Sequence, residues 1–136
     1  MHPGHDLMPL EVQKALPGLE ETAHLKSSEM PIVVKYFHPT LNFTWYIGAG
    51  DKMEDGEYLQ PGKNGGVEEI FIEGSWMLFG WYDLGMETPE LGYVSLHDLK
   101  TLHEEQVGLK ALPVERDLHF NPDGNLTLQD AIDGRV

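Results

Sequence analysis

The chain contains no cysteine, which excludes disulfides, thiolate zinc sites and cysteine nucleophiles. It is poor in bases: nine Lys and Arg stand against 23 Asp and Glu, a net charge of −14 at pH 7. Affinity for a phosphate backbone comes from Lys and Arg displacing counterions, so direct nucleic-acid binding is not expected. Attraction to an anionic membrane surface is disfavoured for the same reason. No apolar run approaches the roughly 18 residues of a membrane span. The stretch Met1-His2-Pro3-Gly4-His5-Asp6 has neither a basic flank nor an apolar centre, so it is not read as a secretion signal. The expectation is a cytoplasmic protein whose charge suits a basic protein partner.

Familiar catalytic signatures are also missing. Ser75 and Ser95 have no G-x-S-x-G elbow around them. There is no H-E-x-x-H, and His97 and His103, six apart, fall on different faces of a helix. The loop Pro61-Gly62-Lys63-Asn64-Gly65-Gly66 lacks the G-K-[ST] ending of a phosphate-binding loop. No cofactor is implied.

What is present is enough for one domain spanning 1–136. Forty per cent of the 136 residues are hydrophobic and 10% aromatic, which supplies apolar area for one domain, and the length is too short for two. The most aromatic run is Phe43-Thr44-Trp45-Tyr46-Ile47. Its period of two puts Phe43, Trp45 and Ile47 on one face and Thr44 and Tyr46 on the other. Ile32 to His38 is rich in β-formers, and Pro39 to Asn42 is turn chemistry, so the two strands pair as an antiparallel hairpin. Gly48-Ala49-Gly50-Asp51 is expected to break the second strand. Ser75 to Leu84 is apolar on both faces, as in an interior strand, and Gly80 within it marks a bulge or a close approach of another backbone.

Short elements complete the chain. Pro9 opens a helix over Leu10 to Leu16, and residues 20–31 read as a linking loop. Residues 51–74 form an acidic surface insertion in which Val67 to Glu73 makes a short strand of an outlying ribbon. Tyr93-Val94 is a short strand. Ser95 caps a helix whose stripe is Leu96, Leu99 and Leu102, running to about Glu105. Val114 to Phe120 alternates as a final strand, and Thr127 caps a last helical turn through Ile132. Residues 1–8 and 123–136 are expected at the periphery. The fold class is therefore α+β: one antiparallel sheet of four to five strands against the helix 95–105, with a short N-terminal helix alongside.

Three groups of residues are candidates for function. The first is charge: residues 51–90 hold ten acids and two lysines, −8 over forty residues. Glu54, Asp55, Glu57, Glu68, Glu69 and Glu73 could form a face for a basic partner, or a solvated surface that keeps the chain soluble. The second is a pocket. Arg116 alternates with Val114 and Leu118, which turns it inward, where it needs a carboxylate; Glu90 is the candidate, with Tyr46 and Tyr93 as ring walls. A clamp between loop and sheet explains the same Arg. The third is Glu115, Asp117 and His119, which share one face of the final strand and could contribute to a divalent-ion site. Residues two apart on a strand diverge, so a solvated or locally paired face explains them more simply.

The stretches Val34-Lys35-Tyr36-Phe37-His38-Pro39, Thr44-Trp45-Tyr46, Phe79-Gly80, Glu90-Leu91-Gly92-Tyr93-Val94-Ser95-Leu96 and Glu115-Arg116-Asp117-Leu118-His119-Phe120 together resemble a family of small bacterial domains of unknown function. Members of that family occur on plasmids, integrative elements and phages. The resemblance covers roughly Leu10 to Pro122 and departs in the longer acidic insertion 51–74 and in the C-terminal tail. It implies a mobile-element context and an α+β fold, and offers no catalytic residues. The expectation is a non-catalytic binding protein acting through its acidic surface on another protein. A metal-assisted hydrolase using Glu115, Asp117 and His119 is one alternative. A DNA-mimicking inhibitor of a host defence system, with acids spaced like phosphates, is the other.

Overall fold

A computed structural model describes residues 6–39, 42–53, 57–61, 67–71, 75–85, 88–105, 114–121 and 123–136, with 57–61, 67–71 and 101–105 described by their backbone. The strands are β1 (Val34–Phe37), β2 (Thr44–Lys52), β3 (Glu57–Pro61), β4 (Val67–Phe71), β5 (Trp76–Asp83), β6 (Glu90–Ser95) and β7 (Glu115–Arg116). The helices are α1 (Leu10–Ala15), α2 (Leu19–Thr22), α3 (Leu96–Glu105) and α4 (Leu128–Ile132), with a 3₁₀ turn at Ser27–Glu29. The fold is α+β. Its centre is an open five-stranded antiparallel sheet ordered β6-β5-β2-β1-β7, and β3 and β4 form a separate two-stranded sheet. No helix among the described residues is long and apolar enough to cross a membrane.

The aromatic run lies on β2, the middle strand. The expected antiparallel hairpin with β1 forms, in the register Val34 opposite Ile47 through Phe37 opposite Thr44. Alternation then builds two cores. On one face Trp45, Ile47, Val34, Tyr36, Leu78 and Val114 meet Val12 of α1, Leu16 just after it, and Leu96 and Leu99 of α3. On the other face Tyr46, Phe79, Trp81 and Ala49 meet Met30, Ile32, Leu128 and Ala131. The sheet is thus covered on both faces.

The structure corrects four expectations. First, β2 does not stop at Gly48 but continues to Lys52, with a shift of register against β5 between Ile47 and Ala49. Its glycines serve tight packing: a Cβ on Gly50 would stand 2.7 Å from Leu78 Cδ2, and one on Gly48 would stand 3.2 Å from the Pro31 carbonyl. The close backbone approach read at Gly80 is found there; a Cβ would overlap the Tyr46 carbonyl oxygen and stand 2.9 Å from Ile47 Cα. Second, residues 20–31 hold most of α2 and the 3₁₀ turn and send Leu25 and Met30 to the second core.

Third, the final strand is two residues long. Asp117 Oδ1 accepts the His119 N–H at 3.0 Å, a local side-chain bond that competes with strand pairing. Fourth, the two chain ends are not peripheral. Leu7 and Met8 are buried in the first core, and Leu128 and Ala131 in the second. The Ile32 N–H donates to Leu126 O at 2.8 Å and the Leu128 N–H to Met30 O at 2.9 Å. The cap read at Thr127 is a full capping box: the Thr127 N–H donates to Asp130 Oδ2 at 2.8 Å, and the Asp130 N–H to Thr127 Oγ1 at 3.3 Å. Ser95 caps α3 as expected, accepting the Asp98 N–H at 3.1 Å.

Candidate functional site

Because β7 pairs only with Tyr36 and Phe37, the outer edge of β1 beside Val33 and Val34 has no strand among the described residues. A groove of about 280 Å³ opens there, with Glu11, Lys35, Arg116 and Asp117 on its rim and Val12, Val33 and Phe120 among its apolar walls. Arg116 points inward, its side chain 13% exposed. Its Nε donates to the Asp6 carbonyl at 3.0 Å, and one terminal nitrogen lies 3.7 Å from Glu11 Oε1. Lys35 Nζ lies 3.7 Å from Asp117 Oδ2. It also stands over two rings, 5.6 Å from the centroid of Tyr46 and 5.4 Å from that of Phe120, within range of a cation–π attraction.

The groove thus brings cations and carboxylates together in two ion pairs. Its chief effect is to tie the segment before α1 to the sheet edge. Tyr36 strengthens that tie: it is fully buried, and its hydroxyl donates to the Leu7 carbonyl. Burial raises the Tyr36 phenol well above its usual value, against an opposing pull from Arg116. Tyr46, half-buried against Phe120, is raised for the same reason, with Asp83 and Asp117 adding to the effect.

The expected pocket of Arg116 with Glu90 does not form. β6 and β7 are opposite ends of the sheet, so Arg116 pairs with Glu11 rather than Glu90, and Glu90 Oε1 accepts the Tyr82 hydroxyl at 2.9 Å instead. Tyr93 stands with Glu90 on β6, 63% exposed, its ring 5.1 Å from that of Phe79. Tyr46 is the one ring of the expected set on the Arg116 groove side, and it meets Lys35. Glu115, Asp117 and His119 do not share a strand face, since only Glu115 lies in β7. Among the described residues no three His, Asp or Glu side chains stand together as a metal site.

Of the acidic face, Glu57, Glu68 and Glu69 lie on the β3–β4 ribbon, while Glu54, Asp55 and Glu73 lie outside the described residues. In the ribbon Tyr58 stands opposite Ile70, Leu59 opposite Glu69 and Glu57 opposite Phe71. Sequence reasoning missed Lys35 and Glu11. For Lys35 the signal is the alternation of β1, which sets a lysine opposite Tyr46; for Glu11 no local pattern names a partner on β7.

Residues 67–132 match the model of a family described as a protein of unknown function, DUF2958. The matched stretch runs from β4 to α4, so it takes in both β6 and Arg116 and leaves out the β1–β2 hairpin. No curated protein matches the chain, and neither does any solved structure.

Proposed function

We propose that the protein is a non-catalytic accessory protein of a mobile genetic element, the origin that the sequence resemblance implies, and that it works by binding another protein through the β3–β4 ribbon. The observation that carries this reading is the separation of the ribbon from the main sheet. A lone two-stranded ribbon is marginal in water and gains stability when something covers it. This one sets Tyr58 opposite Ile70 and mixes acids with Leu59 and Phe71 along its length. Apolar anchors among carboxylates suit a partner with a basic, partly apolar surface. Such a complex associates faster at low salt and weakens as salt rises.

The test is affinity capture from host lysate with three chains: the wild type, one with Glu57, Glu68 and Glu69 changed to Gln, and a control with Glu20→Gln, Asp98→Asn and Asp123→Asn. The control changes the net charge equally at three exposed positions. The ribbon variant should lose partners that the control retains. An unchanged partner list in the ribbon variant, or equal loss in both, refutes the assignment.

A further inference from the structure

We infer that β6 is the pairing edge of a homodimer, in which β6 of one copy adds antiparallel to β6 of a second about a two-fold axis through Gly92. β6 ends the five-stranded sheet, and its outer edge meets no strand among the described residues. Soluble proteins blunt such edges with proline, lysine or a bulge. Glu90-Leu91-Gly92-Tyr93-Val94-Ser95 has no proline and no base. Its register against β5 is unbroken from Glu90 opposite Tyr82 to Ser95 opposite Met77. The edge is six residues long and without a bulge, with Leu91, Tyr93 and Val94 along it and one acid at its end.

The exposed side chains on this strand say what fits it. Leu91 is 40% and Tyr93 63% exposed, and they lie two apart, on one face. Tyr93 also walls a cavity of about 130 Å³ with Leu19, Leu25, Met30 and Phe79, so the apolar surface extends from the strand onto the second face of the sheet. A two-fold axis normal to a sheet carries each residue to the same face, and residues opposite each other across a pair share a face. With the axis at Gly92, Leu91 of each copy falls opposite Tyr93 of the other. Two apolar cross-strand pairs form, and glycine sits where the backbones meet on the axis. Glu90 falls opposite Val94. The two Glu90 residues are then four positions apart, about 14 Å, beyond the ~10 Å screening length at 0.1 M salt.

The charge balance separates this occupant from a foreign strand. Two copies each carrying −14 repel, so the dimer strengthens as salt rises, whereas a basic partner strand would weaken. The reading is independent of the ribbon, which lies on other strands.

Two measurements test it. Sedimentation equilibrium of the full chain across a wide concentration range should show the mass rising from 15.3 kDa toward twice that value, at lower concentration in high than in low sodium chloride. Leu91→Lys and Tyr93→Lys should each hold it at the monomer. A chain that stays monomeric throughout, a dimer that weakens with salt, or one that survives both substitutions overturns the proposal. The register is read by single cysteines, which are unambiguous in a chain with none of its own. Opposed residues on the axis have Cα atoms about 4.5–5.5 Å apart, within the range of a disulfide. Under mild oxidation Gly92→Cys should crosslink rapidly to its own copy and Val94→Cys should not. Crosslinking of both at one rate, of Val94→Cys alone, or of neither refutes the register.

Discussion

Replacing Gly80 with alanine should cost more than any other single methyl added to this sheet. Gly80 pairs with Ile47 on the central strand. A Cβ there would overlap the Tyr46 carbonyl oxygen and stand 2.8 Å from Tyr46 C and 2.9 Å from Ile47 Cα. These neighbours are backbone, so no rotamer change relieves the contact; β2 and β5 must move apart. The overpacking costs about 1–3 kcal/mol. Loss of the two nearest ladder hydrogen bonds adds about 1 kcal/mol each. A loss of about 3–5 kcal/mol follows, a large share of the ~5–15 kcal/mol that holds a typical domain folded. Urea unfolding followed by the fluorescence of Trp45, Trp76 and Trp81 measures it. With a slope of about 2 kcal/mol/M the midpoint should fall by about 2 M. Gly124→Ala is the comparison: nothing lies within 4 Å of its Cβ, and its φ of +69° brings only the left-handed strain, about 1–2 kcal/mol. If Gly80→Ala is no more destabilising than Gly124→Ala, the close approach of the two strands is wrong.

Two further outcomes follow from the packing and the titration of the core. Tyr36 keeps its proton in the folded state above pH 10, its usual value, while the unfolded chain releases it; the tyrosine's contribution is therefore complete below pH 10 and declines above it by about 1.4 kcal/mol per pH unit. Tyr36→Phe, which leaves the Leu7 carbonyl without that donor, should be less stable than wild type at pH 8 by about 1–3 kcal/mol and should lose less stability between pH 10 and 11.5; parallel curves would contradict the burial argument. Leu128→Ala should cost about 2–5 kcal/mol in the same urea assay, because Leu128 is fully buried between β2 and the 3₁₀ segment; a change near zero would return residues 123–136 to the periphery.

Much of the fold is legible because it is written locally. The period of two in Phe43–Ile47 sets Trp45 and Ile47 in one core and Tyr46 in the other. The caps at Ser95 and Thr127 are short-range bonds within four residues of chain, which is why both helices are placed correctly. What fails is whatever depends on distant chain. Gly48 and Gly50 read as a strand break because glycine permits turns, yet here it makes room for Pro31 and Leu78. Leu128 looks like an isolated leucine in a polar tail until Met30 and Ile32 stand beside it. The partner of Arg116 could not be chosen between Glu90 and Glu11 from alternation, since the choice is decided by strand order. Of the ribbon only the strand at Val67 was visible, and the unpaired edge of β6 was not, because an edge is a property of the whole sheet.

The stitching of chain ends also sets the order in which this domain can be completed. Arg116 reaches Asp6 across 110 positions, β7 closes the side of β1, and α4 seals the second face against Met30 and Ile32. Contacts so far apart along the chain are slow to form. A ribosome making this protein therefore extrudes a half-built sheet, its second face only partly covered by Leu25, Met30 and Ile32 and the outer edge of β1 open, until residues 114–132 emerge. For that interval the nascent chain is a substrate for chaperones and proteases, and the closing step belongs to the segment from β7 to α4.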